Sequence, residues 1–415
     1  MTTIIFGSGA TIPFFNTPLT TNYLTKQVCK KERWDDLITR YRSHTTNIMA
    51  DAADIVELIH SFEHIDFNHT FETYAELIDK IASFGFDAIP GHNMMNTLFA
   101  VLIDRYKKHF GPEWRDVPFL YREIIVQSIL ELELDGKSED YEELCSKQHS
   151  FIEHTANYSN SNKTSLVSLN YDNVLFDSIK GLDFEHCFNY VPEAGNNDFF
   201  DYDNFYNSPR VVYFPHGHSR FKRSSFGTIQ YYDDPLAAEK NRWDGLADSR
   251  MDSTLTLTSS TFAYDFNSFI TTGQTKDTSL NLPPYDAYYQ RLSKDIWESD
   301  WIYLIGYSFG DEHINRLLHS YLYSNPFGNI FIVDYIENDI NLAKDIINEG
   351  NLVSRIFNVF KPFVFFPDIP DVTHYQSDDL CEINHLGYGQ LMGNIYLYKK
   401  GTKEFLNEFR EIPFL

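Results

Sequence analysis

The chain has 415 residues, enough for a large core and for about two to three domain-sized units. Its formal charge of -25, from 59 acidic and 34 basic residues, repels phosphate backbones and anionic lipid surfaces, which argues against direct binding to nucleic acid or membranes. Hydrophobic residues at 43% and aromatics at 16% mark a globular chain with much ring area to bury.

Cys29, Cys145, Cys187 and Cys381 form no CxxC pair, so neither a disulfide framework nor a structural zinc site is expected, and four isolated thiols fit a reducing cytoplasm. The amino terminus enters a strand without a basic region and apolar core, and no apolar run approaches membrane-spanning length. These features predict a soluble, cytoplasmic protein.

The opening TTIIFGSG predicts a first buried strand entering a tight turn. From about residue 45 to 157 apolar residues recur three and four apart. Phe71, Tyr74, Leu77, Ile78 and Ile81 share one helical face, with Thr70 as N-cap and Gly85 as stop. Similar stripes run through Leu98, Val101 and Leu102 and through Ile124, Ile125, Ile129 and Leu132, so residues 30–160 read as a helical insertion or subdomain. Strand-like runs return at 165–170, 210–215, 301–306 and 329–334, the last two separated by a helix-length stretch from Asp311 to Tyr323. That is the rhythm of βαβ units and a parallel sheet. Residues 194–208 and 219–282 read as irregular loops with one short strand at Thr254 to Thr258. The C-terminal segment, 336–415, mixes strand-like runs at Val359 to Phe366 and Asn394 to Tyr398 with a terminal helix.

Several of the predicted strands end in polar groups. In open α/β sheets the ligand crevice lies outside the carboxyl ends of the strands, so TSLVSLNYD, ending in Asn170, Tyr171 and Asp172, points at a binding site. Gly7-Ser8-Gly9 lets backbone amides approach a pyrophosphate, or simply ends a strand. Ser308 offers an amide and a hydroxyl to the same anion, or caps the following helix. His216, before Gly217, can move a proton near neutral pH; with His218 on the same face of an extended segment it can also form part of a metal site or a structural pair. The string His60-Ser61-Phe62-Glu63-His64 has inverted zinc-protease spacing but lacks a distal glutamate as third ligand. Glu139 to Glu143 reads as a solvated helix face.

In this order, GSG, LNYD, HG and IYLIGYSFGDEHIN resemble the sirtuin-like NAD-binding domains of bacterial anti-phage defence across residues 1–335. The resemblance implies a Rossmann-like sheet that binds NAD+ beneath a variable helical module, with 336–415 as a C-terminal extension. It implies that Gly7, Ser8 and Gly9 hold the pyrophosphate and that Asn170 contacts the nicotinamide ribose or a water. Asp172 would face the nicotinamide carboxamide, and His216 would act as base. Gly306 and Ser308 would line the phosphate side, and Asp334 would accept hydrogen bonds from the adenosine ribose hydroxyls. Deacylase sirtuins carry a zinc ribbon of two CxxC pairs, which this chain lacks, and their arginine-containing loop finds only Thr11 to Asn16 here.

The activity so implied is NAD+ hydrolysis to nicotinamide and ADP-ribose, with no metal. Related chains assemble into oligomers, some beside a HerA-like hexameric ATPase, so a homo-oligomer and such a partner are expected. The alternatives are an NAD or ADP-ribose sensor without turnover and an NAD-dependent deacylase.

Overall fold

The computed structural model describes residues 1–44, 49–62, 70–87, 114, 116–158, 163–191, 196–223, 229–248, 270, 284–325, 328–336, 352–360, 388–392 and 395–412. Its centre is a seven-stranded sheet built from Thr2–Phe6 (β1), Thr164–Ser168 (β2), Arg210–Tyr213 (β5), Trp301–Ile305 (β8), Asn329–Val333 (β9), Tyr388–Met392 (β10) and Ile395–Tyr398 (β11). The order is β10-β11-β9-β8-β1-β2-β5. Every pairing is parallel except β10 with β11, so six strands run in one direction as the βαβ rhythm predicts. In β1 every residue is buried, which is what a parallel strand covered on both faces requires of TTIIF. Ile4 sits between Leu166 and Tyr303 in register.

The chain leaves β1 through Ser8–Thr11 (α1), Thr21–Val28 (α2), Lys31–His44 (α3), Ala52–Ser61 (α4), Phe71–Asp87 (α5), Val117–Asp135 (α6) and Tyr141–Tyr158 (α7) before it returns as β2. Helix α6 is buried nearly all round, Ile124, Ile125, Ile129 and Leu132 included, and α2, α3 and α5 pack on it. A helix apolar on every side has to be central. Thr70 caps α5 as expected, its hydroxyl accepting from Thr73 N at 3.3 Å. Gly85 does not stop that helix, which continues to Asp87; one helical glycine costs only about 1 kcal/mol, which the rest of the helix absorbs. Leu98, Val101 and Leu102 lie outside the described residues, as do Glu63 and His64 of the zinc-protease spacing.

After β2 come Val174–Ile179 (α8) and a second, antiparallel sheet of Phe188–Val191 (β3), Asn196–Phe200 (β4), Phe221–Arg223 (β6) and Ile229–Tyr231 (β7). The described part of the 194–208 stretch, residues 196–208, is therefore not simply loop. It holds β4 and Tyr202–Asn207 (α9), which is capped by Asp201 accepting from Asn204 N at 2.9 Å. Phe200 and Phe205 pack against Tyr288, so burial of rings outweighs the polar sequence between them. Likewise 219–282 contains β6, β7 and Pro235–Asp248 (α10), whereas Thr254 to Thr258 lies outside the described residues.

Tyr285–Glu298 (α11) precedes β8, and Glu312–Ser324 (α12) and Leu352–Phe360 (α13) follow on either side of β9. Val359 and Phe360 are helical, not strand-like; Val353, Ile356 and Phe360 are buried, and α13 packs on α12. Strand β11 pairs with β9, so the C-terminal segment extends the main sheet. Thr402–Glu408 (α14) then reaches back to the first turn, where Thr402 Oγ1 donates to Gly9 O at 3.3 Å. Among the described residues no helix is long and apolar enough to cross a membrane.

The connection from β1 runs to β2 on one side, while β8 flanks β1 on the other, which puts the topological switch point between β1 and β8. There the two strand ends meet backbone to backbone. Gly306 has φ +61°, and a Cβ on it would lie 2.0 Å from Ala10 N. Gly306→Ala should cost more than about 3 kcal/mol in denaturant unfolding, because left-handed strain and a backbone clash add. Gly181→Ala, at φ +85° with nothing within 4 Å of the new Cβ, should cost only about 1–2 kcal/mol. Equal losses would contradict the close approach.

Candidate functional site

The turn after β1 is tied to the turn after β8. Gly7 N donates to Ile305 O at 2.9 Å, Gly9 N to Gly306 O at 2.9 Å, and Gly306 N to Val333 O at 2.7 Å. A Cβ on Gly7 or Gly9 would come within 2.6 or 2.8 Å of Gly306 backbone atoms. Two of the three amides expected to hold an anion are thus already committed, and the glycines serve close packing. Ser8, first residue of α1, is the member of the trio whose N–H has no such bond.

At the end of β2, Leu169 N donates to Phe6 O at 2.9 Å, keeping the two strand ends level. Asn170 Nδ2 then donates to Gly7 O at 2.9 Å. A carbonyl can only accept, so this bond fixes the carboxamide orientation and leaves Asn170 Oδ1 as an acceptor. Asp172 Oδ1 accepts from Val174 N at 3.0 Å, starting α8, while its buried Oδ2 has no hydrogen-bond partner among the described residues. The Thr11 hydroxyl is near, but it donates to Ser8 O at 3.3 Å. Burial pushes the Asp172 carboxyl up to about 6, against the opposing pull of the Val174 amide.

Behind this turn Glu133 of α6 is buried, its Oε1 accepting from Asn173 N at 2.8 Å. Burial pushes Glu133 up to about 7; the Arg220 guanidinium, 3.7 Å from Oε2, opposes this and Asp172 adds to it. His218 lies in the same buried layer, Nδ1 accepting from Arg220 N at 3.1 Å, its ring against Phe214 and Phe176. Burial and Arg220 hold its pKa well below the usual histidine range, so it stays neutral.

His216 parts from His218. Gly217, at φ +91°, turns the chain, with its N–H donating to Phe214 O at 2.9 Å, and Ser219 N donates to Tyr171 O at 2.8 Å, fastening this loop to the turn after β2. His216 Nε2 then lies 2.8 Å from Asp311 Oδ2, close enough for an ion pair but off the axis of a hydrogen bond. The other Asp311 oxygen caps α12, accepting from His313 N at 2.9 Å and Ile314 N at 3.2 Å. Asp311, not Ser308, is therefore the cap of that helix. Among the described residues no three His, Cys, Asp or Glu side chains are placed to share a metal ion.

These strand ends floor a cleft of about 1200 Å³. Gly7, Ser8, Asn170, Asp172, His216 and Ser308 all line it, so six positions from four separated motifs share one cavity. Gly9 and Gly306 lie behind the wall as packing partners. Asp334 does not line the cleft: its Oδ1 accepts from Tyr335 N at 2.7 Å, and burial pushes it up to about 6. The facing wall comes from the helical region, through Leu19 to Thr21, Leu24 and Thr70 to Thr73 with Glu76. Sequence reasoning missed Glu72, Glu76 and Arg355, which come from helices remote in the chain. It named Asp311 only as a helix start, although its place just after a strand end was the available signal.

No protein-family model matches the chain, and no curated protein matches it. Fold and cleft together define an α/β protein with an open, mainly parallel sheet and, at its switch point, a cavity bordered by polar strand ends.

Glu133 provides a test of the buried layer. Between about pH 4.5 and 7 the native state holds a proton on Glu133 that the unfolded chain has lost, so stability falls as pH rises through that window and levels off above it. Glu133→Gln keeps an acceptor for Asn173 N–H without the charge. Relative to this variant, the parent should lose on the order of 3 kcal/mol between pH 4.5 and 7. Thermal melts across that range check it; a parent–variant gap that stays constant with pH would refute the assignment.

Proposed function

We propose that this protein hydrolyses the nicotinamide–ribose bond of NAD+, releasing nicotinamide and ADP-ribose. The observation that carries the reading is the gathering of Asn170 and Asp172, from the turn after β2, and His216, from the turn after β5, in one cleft with Gly7 and Ser8.

Cleavage of this bond builds positive charge on the ribose. Asn170 Oδ1, held by the bond from Nδ2 to Gly7 O, suits a ribose hydroxyl or the attacking water. The carboxylates of Asp172, Asp311, Glu72 and Glu76 around the cleft favour developing positive charge, and backbone amides hold those of Asp172 and Asp311 in place before reaction begins. Asp311 beside Nε2 favours a proton on that nitrogen, which leaves Nδ1 of His216 to accept one from water or a ribose hydroxyl. Asp172, which lines the cleft with the Thr11 hydroxyl close to its carboxyl, suits the N–H of the nicotinamide carboxamide.

Such turnover would empty a cell of cofactor, which fits a defence effector restrained until triggered. The resemblance to sirtuin-like defence proteins supports this, together with a homo-oligomer and a HerA-like ATPase as partner; the -25 charge suits a partner with a basic surface.

Nicotinamide release, followed by chromatography, tests the reading. Asn170→Ala and His216→Ala should each lower turnover by about 10²–10⁴. Asp311→Asn, which keeps a good helix cap, should lower it less than His216→Ala does. Parent-rate turnover in either alanine variant would sink the assignment, and binding of NAD+ without any nicotinamide release would make the protein a sensor.

A further inference from the structure

Glu133 is a buried acid that the hydrolysis itself does not use, yet three parts of the chain meet at it: helix α6, the turn after β2 and the loop after β5. Its Oε1 accepts from Asn173 N at 2.8 Å. Arg220, 3.7 Å from Oε2, is anchored in turn by its Nη1, which donates to Asp233 O. The amide that Glu133 holds belongs to the peptide unit joining Asp172 to Asn173, and the atoms of a planar peptide move together. At the other end of that unit the Asp172 carbonyl lies close to the His218 ring. Ser219 N donates to Tyr171 O at 2.8 Å and Val174 N to Asp172 Oδ1 at 3.0 Å, so the turn is held on both sides of this peptide. Leucine or isoleucine fills most of the neighbouring buried positions of α6, and a glutamate is costly to bury among them. What it supplies that they cannot is an acceptor for the Asn173 amide.

Charge couples the two acids as well. Burial is the main reason Glu133 keeps its proton; Arg220 opposes this, and the charge of Asp172 adds to it. Asp177 of α8 adds further, although Lys180, Tyr141 and Lys137 surround it. The other charges along α6 are matched elsewhere, Glu131 by Arg33 of α3 and Arg122 by Asp79 of α5. Repulsion between two acids is reciprocal, so an uncharged Glu133 favours ionisation of Asp172.

We propose that Glu133 is a positioning residue for Asp172: it fixes the Asp172–Asn173 peptide through the Asn173 amide, and its proton is linked to that of the Asp172 carboxyl. The proposal rests on the hydrolase reading only for what Asp172 does to the ligand. The hold on the turn can be tested without turnover.

The full chain is compared as parent, Glu133→Gln, which keeps an acceptor, and Glu133→Leu, which fills the space without one. By hydrogen-exchange mass spectrometry E133L should exchange the Asn173 amide about tenfold faster than E133Q, the equivalent of one lost hydrogen bond, while the amides of β1 exchange alike in both and report that the fold is kept. A second arm needs no apolar variant. In thermal melts between pH 4.5 and 7, the stability gap between D172N and the double variant E133Q/D172N should change less with pH than the gap between parent and E133Q, because the repulsion from Asp172 is gone. In nicotinamide release E133L should lower kcat by about tenfold and E133Q by less than about threefold, the acceptor rescuing the turn. Equal Asn173 exchange in E133Q and E133L would overturn the proposal, as would a pH response of the gap that D172N leaves unchanged, or parent-rate release by E133L. The expected exchange and pH responses, in a protein that releases no nicotinamide, would retain the positioning role and reject the hydrolase.

Discussion

The contact of backbone on backbone between Gly7-Ser8-Gly9 and Gly306 holds the site together. Hydrogen bonds from Gly7 to Ile305 and from Gly9 to Gly306 set the ends of β1 and β8 at one level, and Asn170 extends the lock to β2 through Gly7 O. Side chains at these glycines would force the two turns apart by more than a flexible neighbour could absorb, because the opposing atoms are main chain. With the turns apart, Ser8, Asn170 and Ser308 would no longer border one cavity. The glycines that look like phosphate binders in the sequence therefore act first as a hinge pin for the cleft floor.

On that floor the cleft is assembled from parts of the chain far apart. The sheet supplies the polar strand ends, and α2 and α5, inserted between β1 and β2, supply the facing wall. Helix α6 anchors that insertion and also sends Glu133 beneath the turn carrying Asp172. The helical region is thus joined to the site twice, through the wall and through the buried acid. Disturbance of its packing would reach Asp172 by way of the Asn173 amide.

The electrostatics follow from burial. Asp172 and Glu133 are acids placed where charge is costly, one at the cleft and one behind it, while His218 is a base kept neutral by the same low-dielectric layer. His216, two residues from His218, stands beside Asp311 at the cavity instead. One turn at Gly217 separates a structural histidine from a candidate acid–base group. The expectation that the two would share a face, and so be able to share a metal, assumed an extended segment, and the positive φ of Gly217 breaks it.

The sequence by itself determined the parallel strands of the main sheet and their polar ends, because short β-branched runs ending in Gly, Asn, Asp or His are local signals set by side-chain shape and backbone freedom; it did not reveal β10 or the second, antiparallel sheet. It also determined the starts of α5 and α12, through Thr70 and Asp311, since a cap acts over three or four residues. Other features depended on partners distant in the chain. Residues 194–208 looked like loop until Phe200 and Phe205 met Tyr288, and Val359 and Phe360 looked like strand until α13 lay against α12. The pairing of His216 with Asp311, and the arrival of Glu72 and Arg355 at the same cleft, belong to tertiary structure alone. Local propensity reads neighbours in sequence, whereas burial and charge pairing are decided by neighbours in space.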